Sequence, residues 1–210
     1  GGTVIKTSAG SANNWRDNYN GGIINIPATA IWIVRKTGVP NPSVSTLNMY
    51  YPNLIIENNT AGMWIASGSS GFQGAITNTV IKGNMDVGGT GSGTVEFENI
   101  NTNASPTVIQ GSLTIRTGNI LRNYGTGFEI YGNLICNGSL NYDATDARNL
   151  IFSGSGPQAV SGSGSLNVFN LIMNKSMNDL TLNRTVKVDN NITFNNPGGR
   201  IFTTAANLLI

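Results

Sequence analysis

Four stretches of the chain repeat one short pattern, and that pattern decides the fold. Residues 80–87 read VIKGNMDV, residues 108–115 read VIQGSLTI, residues 128–136 read FEIYGNLIC and residues 186–194 read VKVDNNITF. In each stretch two apolar segments flank a central glycine or asparagine, and polar residues alternate with the apolar ones. This alternation is typical of short β-strands that bury one face.

The spacing of these copies predicts a β-solenoid. The central glycines Gly83, Gly111 and Gly132 lie 28 and 21 positions apart. Repeats of roughly 20–30 residues that contain only short strands are typical of parallel β-helices, in which like residues of successive coils stack. We therefore predict an all-β fold, a right-handed parallel β-helix. An antiparallel β-sandwich, which also needs short strands and turns, is the alternative.

The central glycine or asparagine of each copy predicts a sharp corner between two strands. Such a corner needs a positive φ, or a bend so tight that a Cβ would clash, and glycine suits both. Asparagine at a corner can also form side-chain hydrogen-bond ladders from coil to coil. No window of a dozen residues sustains the i, i+3, i+4 apolar pattern of a helix, which supports the all-β prediction.

The composition excludes several classes of function. Charged residues make up 10% of the chain and hydrophobic residues 39%, so it has a core to bury but an Asn-, Thr-, Ser- and Gly-rich surface, as secreted β-rich proteins often have. The net charge of +2 comes without a basic run, which argues against nucleic acid as a partner. No apolar stretch approaches the ~20 residues of a transmembrane helix.

The chain also lacks the residues of thiol or zinc chemistry. It has no histidine and one cysteine, Cys136, which lies in an apolar run and is expected to be a small buried hydrophobe. A thiol catalyst would lack its usual base and a zinc site its ligands. No cofactor is predicted.

The N-terminal third differs in composition from the rest. We predict that residues 1–65 form irregular first coils or a cap, and that residues 66–210 are solenoid repeats that continue beyond this chain. Aromatic side chains can stack on sugar rings, so they are the candidate glycan contacts, but packing in the core or cap is the favoured explanation for them. These candidates are Trp15, Tyr19, Trp32, Tyr50, Tyr51 and Trp64.

The C-terminal third carries a recognisable repeat. Residues 149–164 read NLIFSGSGPQAVSGSG, residues 165–175 read SLNVFNLIMNK and residues 180–194 read LTLNRTVKVDNNITF. This region resembles a repeat of very large Bacteroidetes cell-surface and adhesin proteins that are exported by the type IX secretion system. The resemblance implies a stalk or adhesin with other surface or secretion-system proteins, or extracellular glycans, as partners. It carries over no catalytic residues.

Few acidic residues are available for catalysis or metal binding. Glu96 and Glu98 alternate onto one face of a predicted strand, about 7 Å apart. This separation suits a glycosidase pair, but a solvated strand face also carries such residues. Asp143 and Asp146 are weak candidates for binding Ca²⁺, but a polar turn is the favoured explanation and no metal site is predicted.

Together these observations predict a structural or adhesive segment of a secreted bacterial surface protein, located outside the cell and without enzymatic activity. A glycan-binding β-helix module is the first alternative. A polysaccharide lyase or hydrolase, which also occurs on β-helices, is the second.

Overall fold

Short strands stacked in parallel make up the described part of the chain. The computed structural model describes residues 2–7, 27–39, 41–42, 50–67, 71–74, 79–101, 105–142 and 148–204, and these contain no helix. The strands are β1 (Thr3–Lys6), β2 (Ile31–Lys36), β3 (Tyr50–Tyr51), β4 (Asn53–Asn58), β5 (Met63–Ala66), β6 (Phe72–Gly74), β7 (Val80–Ile81), β8 (Met85–Val87), β9 (Thr94–Asn101), β10 (Thr107–Ile109), β11 (Leu113–Ile115), β12 (Ile120–Asn123), β13 (Gly127–Ile130), β14 (Leu134–Cys136), β15 (Ser139–Tyr142), β16 (Asn149–Gly154), β17 (Gln158–Ser161), β18 (Ser165–Lys175), β19 (Asp179–Leu182), β20 (Lys187–Phe194) and β21 (Arg200–Phe202).

The strands form three faces, which we call A, B and C. Face A consists of β1, β2, β4, β8, β11, β14, β17, β19 and β21 in that order. Face B contains β3, β7, β10, β13 and β16, and face C contains β5, β6, β9, β12 and β15. β18 runs from face C into face B, and β20 pairs with it.

One coil visits the faces in the order B, A, C, as in β10, β11 and β12, and each strand pairs in parallel with its equivalent in the next coil. The result is a parallel β-solenoid of about 7 turns. The predicted all-β solenoid is therefore confirmed, and the antiparallel sandwich is wrong. The right-handed sense of coiling stays a prediction.

The core consists of columns in which like residues stack. On face A, Leu54, Met85, Leu113 and Leu134 are partners in successive coils and all are fully buried. Ile81, Ile109, Ile130, Phe152 and Met173 form the matching column on face B. The burial of each such side chain stabilises the fold by about 1.5–3 kcal/mol. The columns therefore help to keep successive coils in the register that their backbone hydrogen bonds also set.

The described strands of residues 1–65 lie in these same sheets. β1, β2 and β4 continue face A without a break, and β5 pairs with β9 on face C. In the part of the chain that the structure describes, no helix has the length and apolarity needed to cross a membrane.

The corner between faces B and A has two forms. In the narrow corner, residues 131–133 connect Ile130 to Leu134. In the wide corner of the next coil, residues 153–159 connect the stacked partners of these residues, Phe152 and Val160, and the connection is four residues longer.

Glycine is needed in the narrow corner because of close backbone approach. Gly111 N–H donates to the Gly83 carbonyl at 2.9 Å and Gly132 N–H to the Gly111 carbonyl at 2.8 Å. A Cβ on Gly132 would lie 2.6 Å from the carbonyl carbon of Gly111. Glycine at a corner is predicted for either of two reasons, a positive φ or a tight bend. The tight bend applies here, since none of the three glycines has a positive φ.

Candidate functional site

Two of the candidate glycan-contacting aromatics, Tyr51 and Trp64, lie inside the solenoid. Tyr51 and Trp64 are 1% and 2% exposed, and Trp32 is partly buried against the core. Tyr50 begins β3, while Trp15 and Tyr19 lie outside the described residues. A buried ring offers no face to a sugar, so Tyr51 and Trp64 pack in the core, which is the explanation favoured from the sequence.

These interior rings form a row of aromatic contacts. Trp32 and Tyr51 meet edge to face with centroids 6.2 Å apart, and Tyr51 lies 6.4 Å from Phe72. Phe72 then meets Phe97 edge to face at 4.9 Å. Such geometries stabilise a core beyond area burial alone, so this row contributes to the packing inside the N-terminal coils.

The acidic candidates do not assemble into a metal site in the described residues. Asp143 and Asp146 lie outside those residues, and within them no three His, Cys, Asp or Glu side chains come together. The prediction that this pair lies in a polar turn, with Ca²⁺ binding as the weaker candidate, stays a prediction.

Glu96 and Glu98 project from β9 toward the exterior of face C. Arg122 on the neighbouring β12 donates to both carboxylate oxygens of Glu96. Burial raises the pKa of Glu98, the charge of Glu96 raises it further, and Arg122 opposes the rise. With its raised pKa, the Glu98 carboxyl can hold a proton. Its neighbour Glu96, however, is bonded to Arg122 of the next coil, which is a structural role.

Charged side chains commonly bridge successive coils in this molecule. Arg35 pairs with Glu57 at 2.5 Å, Arg116 with Asp86 at 2.6 Å and Arg200 with Asp179 at 2.9 Å, all on face A. The Glu57 carboxylate is buried and also accepts from Thr90 N–H at 2.9 Å. With so few charges in the chain, their placement between coils means that they reinforce stacking.

A side-chain ladder runs along the corner that leads into face A. Asn53 Oδ1 accepts the backbone N–H of Asn84, and Asn84 Oδ1 accepts that of Ser112, each at 2.8 Å. Ser112 Oγ accepts from Asn133 N at 3.0 Å, and Asn133 Oδ1 from Ala159 N at 2.9 Å. Alanine ends the ladder. The predicted asparagine ladders are therefore confirmed at this corner.

A second ladder marks the start of face B. Asn170 Nδ2 donates to Asn149 Oδ1 at 3.0 Å, and Asn190 Nδ2 donates to Asn170 Oδ1 at 2.9 Å. The backbone partner of Asn170 is Asn191, yet the side chain that bonds to Asn170 is that of Asn190. The reason is a shift in strand register between Val168 and Asn170. The amide stack thus survives an irregularity in the backbone.

The wide corner contains a buried polar pair. Gln158 Nε2 donates to the carbonyls of Ile130 and Gly132, and Gln158 Oε1 accepts from Lys175 Nζ at 2.7 Å. Gln158 is 3% exposed and Lys175 is fully buried. Sequence reasoning missed both residues, although alternation with Val160 and with Met173 places them on the inward side of their strands.

Cys136 occupies an apolar column, as expected from its sequence context. It stacks on Ile115, which stacks on Val87, and all three are fully buried. Burial raises the pKa of the thiol, while Arg184 nearby opposes the rise. A buried thiol with a raised pKa is a poor nucleophile, so its role here is packing.

Comparison with protein-family models, with curated proteins and with solved structures finds no match for this chain. The resemblance of residues 149–210 to surface-protein repeats therefore stays a prediction. Three residues of the repeat it rests on, Gln158, Asn170 and Lys175, all bond within the solenoid. Their contacts point to an architectural role.

Proposed function

We propose that this chain is a structural and adhesive segment of an extracellular bacterial surface protein, a stiff section of a stalk or fibre. The observation that carries the proposal is the continuous bonding of each coil to the next over about 7 turns. At roughly 4.8 Å per coil, these turns extend about 30 Å along the solenoid axis. Further coils would lengthen such a rod along its axis.

The polar contacts between coils support a mechanical role. Backbone ladders on three faces are joined by the amide ladders at two corners and by ion pairs such as Arg122 with Glu96. Bending the rod would have to break several of these at once. A surface rich in Asn and Thr with few charges supplies many weak hydrogen bonds, which suits adhesion.

The lineage forms part of the same proposal. We propose that the parent protein is a large Bacteroidetes surface protein exported by the type IX secretion system. The support is the repeat in residues 149–210, whose glycine, glutamine and asparagine spacing is quoted above.

The test displays the chain on a non-adherent bacterium, between the surface anchor and a terminal tag. A 210-residue Gly/Ser linker in the same position is the matched control. We expect the chain to hold the tag at a fixed distance from the surface and to increase cell retention under flow, whereas the flexible linker does neither. A tag distance that varies as widely as with the linker, or unchanged retention, would contradict the proposal.

A further inference from the structure

Lys175 places a primary amine inside the wide corner, where no described residue offers it a carboxylate acceptor. Its Nζ is fully buried and donates to two neutral oxygens, the Gly156 carbonyl and Gln158 Oε1, each at 2.7 Å. A buried ammonium is normally paired with a carboxylate, because losing water costs it free energy. This amine is therefore an unusual group for a purely structural position.

The carboxamide of Gln158 is held in one orientation by its other contacts. Its Nε2 donates to the carbonyl of Ile130 at 3.0 Å and to that of Gly132 at 2.7 Å. Both of these acceptors require the NH₂ side of the amide, so the oxygen must face Lys175. With a C=O bond of about 1.23 Å, the contact leaves Nζ within about 4 Å of Gln158 Cδ. A shift of Nζ from the oxygen to the face of the amide would bring it to the separation of about 3–3.5 Å that attack on the carbon requires.

The surroundings favour the nucleophilic form of the amine. Burial lowers the pKa of Lys175, and the charge of Asp179 opposes that change only in part. An amine that loses its proton in a desolvated site becomes a nucleophile toward a carbonyl carbon.

We propose that Lys175 and Gln158 form an intramolecular isopeptide bond after the chain folds. Lys175 Nζ attacks Gln158 Cδ, the new N–C bond forms, and the bond from Cδ to Nε2 breaks. Nζ gives up two protons in total and Nε2 takes up two, so a lysine ammonium enters and an ammonium ion leaves. Atoms and charge balance with no other reagent.

The departing nitrogen already lies between two acceptors. The carbonyls of Ile130 and Gly132 hold it in the folded chain and can hold it as ammonium until water replaces it. The product keeps one N–H on the lysine nitrogen, which the Gly156 carbonyl accepts. The bond joins the end of β18 to the start of β17 and removes a charge from the interior, whatever the function of the rod.

Intact mass spectrometry of the refolded full chain tests this bond. The expected mass lies below the sequence mass by one ammonia, about 17 Da, and the deficit grows after refolding until it is complete. Lys175→Met should keep the full mass. Lys187→Met is the matched control, since Lys187 is largely exposed and pairs with Asp189, and it should show the same deficit as the wild type.

Peptide sequencing of the digested wild type separates this bond from a cyclic imide at Asn137-Gly138, which also loses ammonia. The expected product is a fragment in which the segment of Gln158 is joined to that of Lys175. Finding this fragment in the wild type supports the proposal even if Lys175→Met does not fold. A folded wild type that keeps its full mass, or a deficit that persists in Lys175→Met, overturns it.

Discussion

The narrow and the wide corner satisfy the backbone carbonyls between faces B and A with different hydrogen-bond donors. In the narrow corner, backbone meets backbone, and the N–H of Gly132 bonds directly to the Gly111 carbonyl. In the wide corner the connection between the two faces is longer, and the Gly132 carbonyl accepts from the side chain of Gln158 instead. The Gln158 amide therefore replaces a backbone donor at the step where the cross-section changes.

A solenoid that changes width between coils needs new hydrogen-bond partners for its backbone. The face columns keep their register across the step, because Phe152 still stacks on Ile130 and Val160 on Leu134. The polar groups that the wider loop uncovers need new partners, since a buried carbonyl without a donor is costly. Width can thus vary from coil to coil if an inward polar side chain satisfies the backbone.

The largest effect is expected from Gln158→Leu, which keeps the side-chain volume but removes its hydrogen bonds. Relative to the wild-type chain in which Gln158 and Lys175 are not joined, the substitution leaves the carbonyls of Ile130 and Gly132 without this donor and Lys175 without one acceptor. We expect the free energy of unfolding to fall by about 3–5 kcal/mol, measured by urea denaturation.

The matched control is the same change at Gln110, whose side chain is exposed. Gln110→Leu should alter stability by no more than about 0.5 kcal/mol. Equal effects at the two positions would mean that the wide corner does not depend on its buried amide.

The next largest change in stability is expected from replacing a glycine by alanine, and it should differ between the two corners. In Gly132→Ala the new Cβ would meet backbone atoms of Gly111 and Ser112 at 2.6 to 2.7 Å, so we expect a loss of about 2–4 kcal/mol. In the wide corner a Cβ on Gly156 would meet nothing within 4 Å. Gly156→Ala should therefore be neutral or stabilising by up to about 1 kcal/mol. Thermal unfolding of the two variants checks both, and a reversed order would refute the distinction between the corners.

The smallest effect concerns the amide ladder of the narrow corner. Asn84→Ala removes the acceptor of the Ser112 N–H, but water can reach this exposed position. We expect a loss of about 0.5–1 kcal/mol in urea denaturation. Asn183→Ala, at an exposed asparagine for which the structure shows no side-chain bond to another coil, is the control and should change stability less. A loss as large as that of Gly132→Ala would show that side-chain ladders, not backbone approach, hold this corner.

Most of the fold was open to prediction from local pattern, but the polar interior was not. Alternation around Gly83, Gly111 and Gly132 reveals strands and corners because each is a property of a few adjacent residues. The contact between Gln158 and Lys175 joins residues 17 positions apart in different coils, and only the stacking register brings them together. The aromatic candidates illustrate the same limit, since composition cannot tell a ring such as Trp64 on the inside of a strand from one on the outside.

The positions of the strands and corners, and the stacking of like residues on like, follow from local pattern, because period-two alternation and recurring glycines act over a few residues and repeat. The difference between the narrow and the wide corner, and the choice of polar groups that bond across coils, emerge only from the folded chain. The reason is physical: strand periodicity fixes the direction of each side chain, whereas a partner in the next coil depends on how many residues the intervening chain spends between faces.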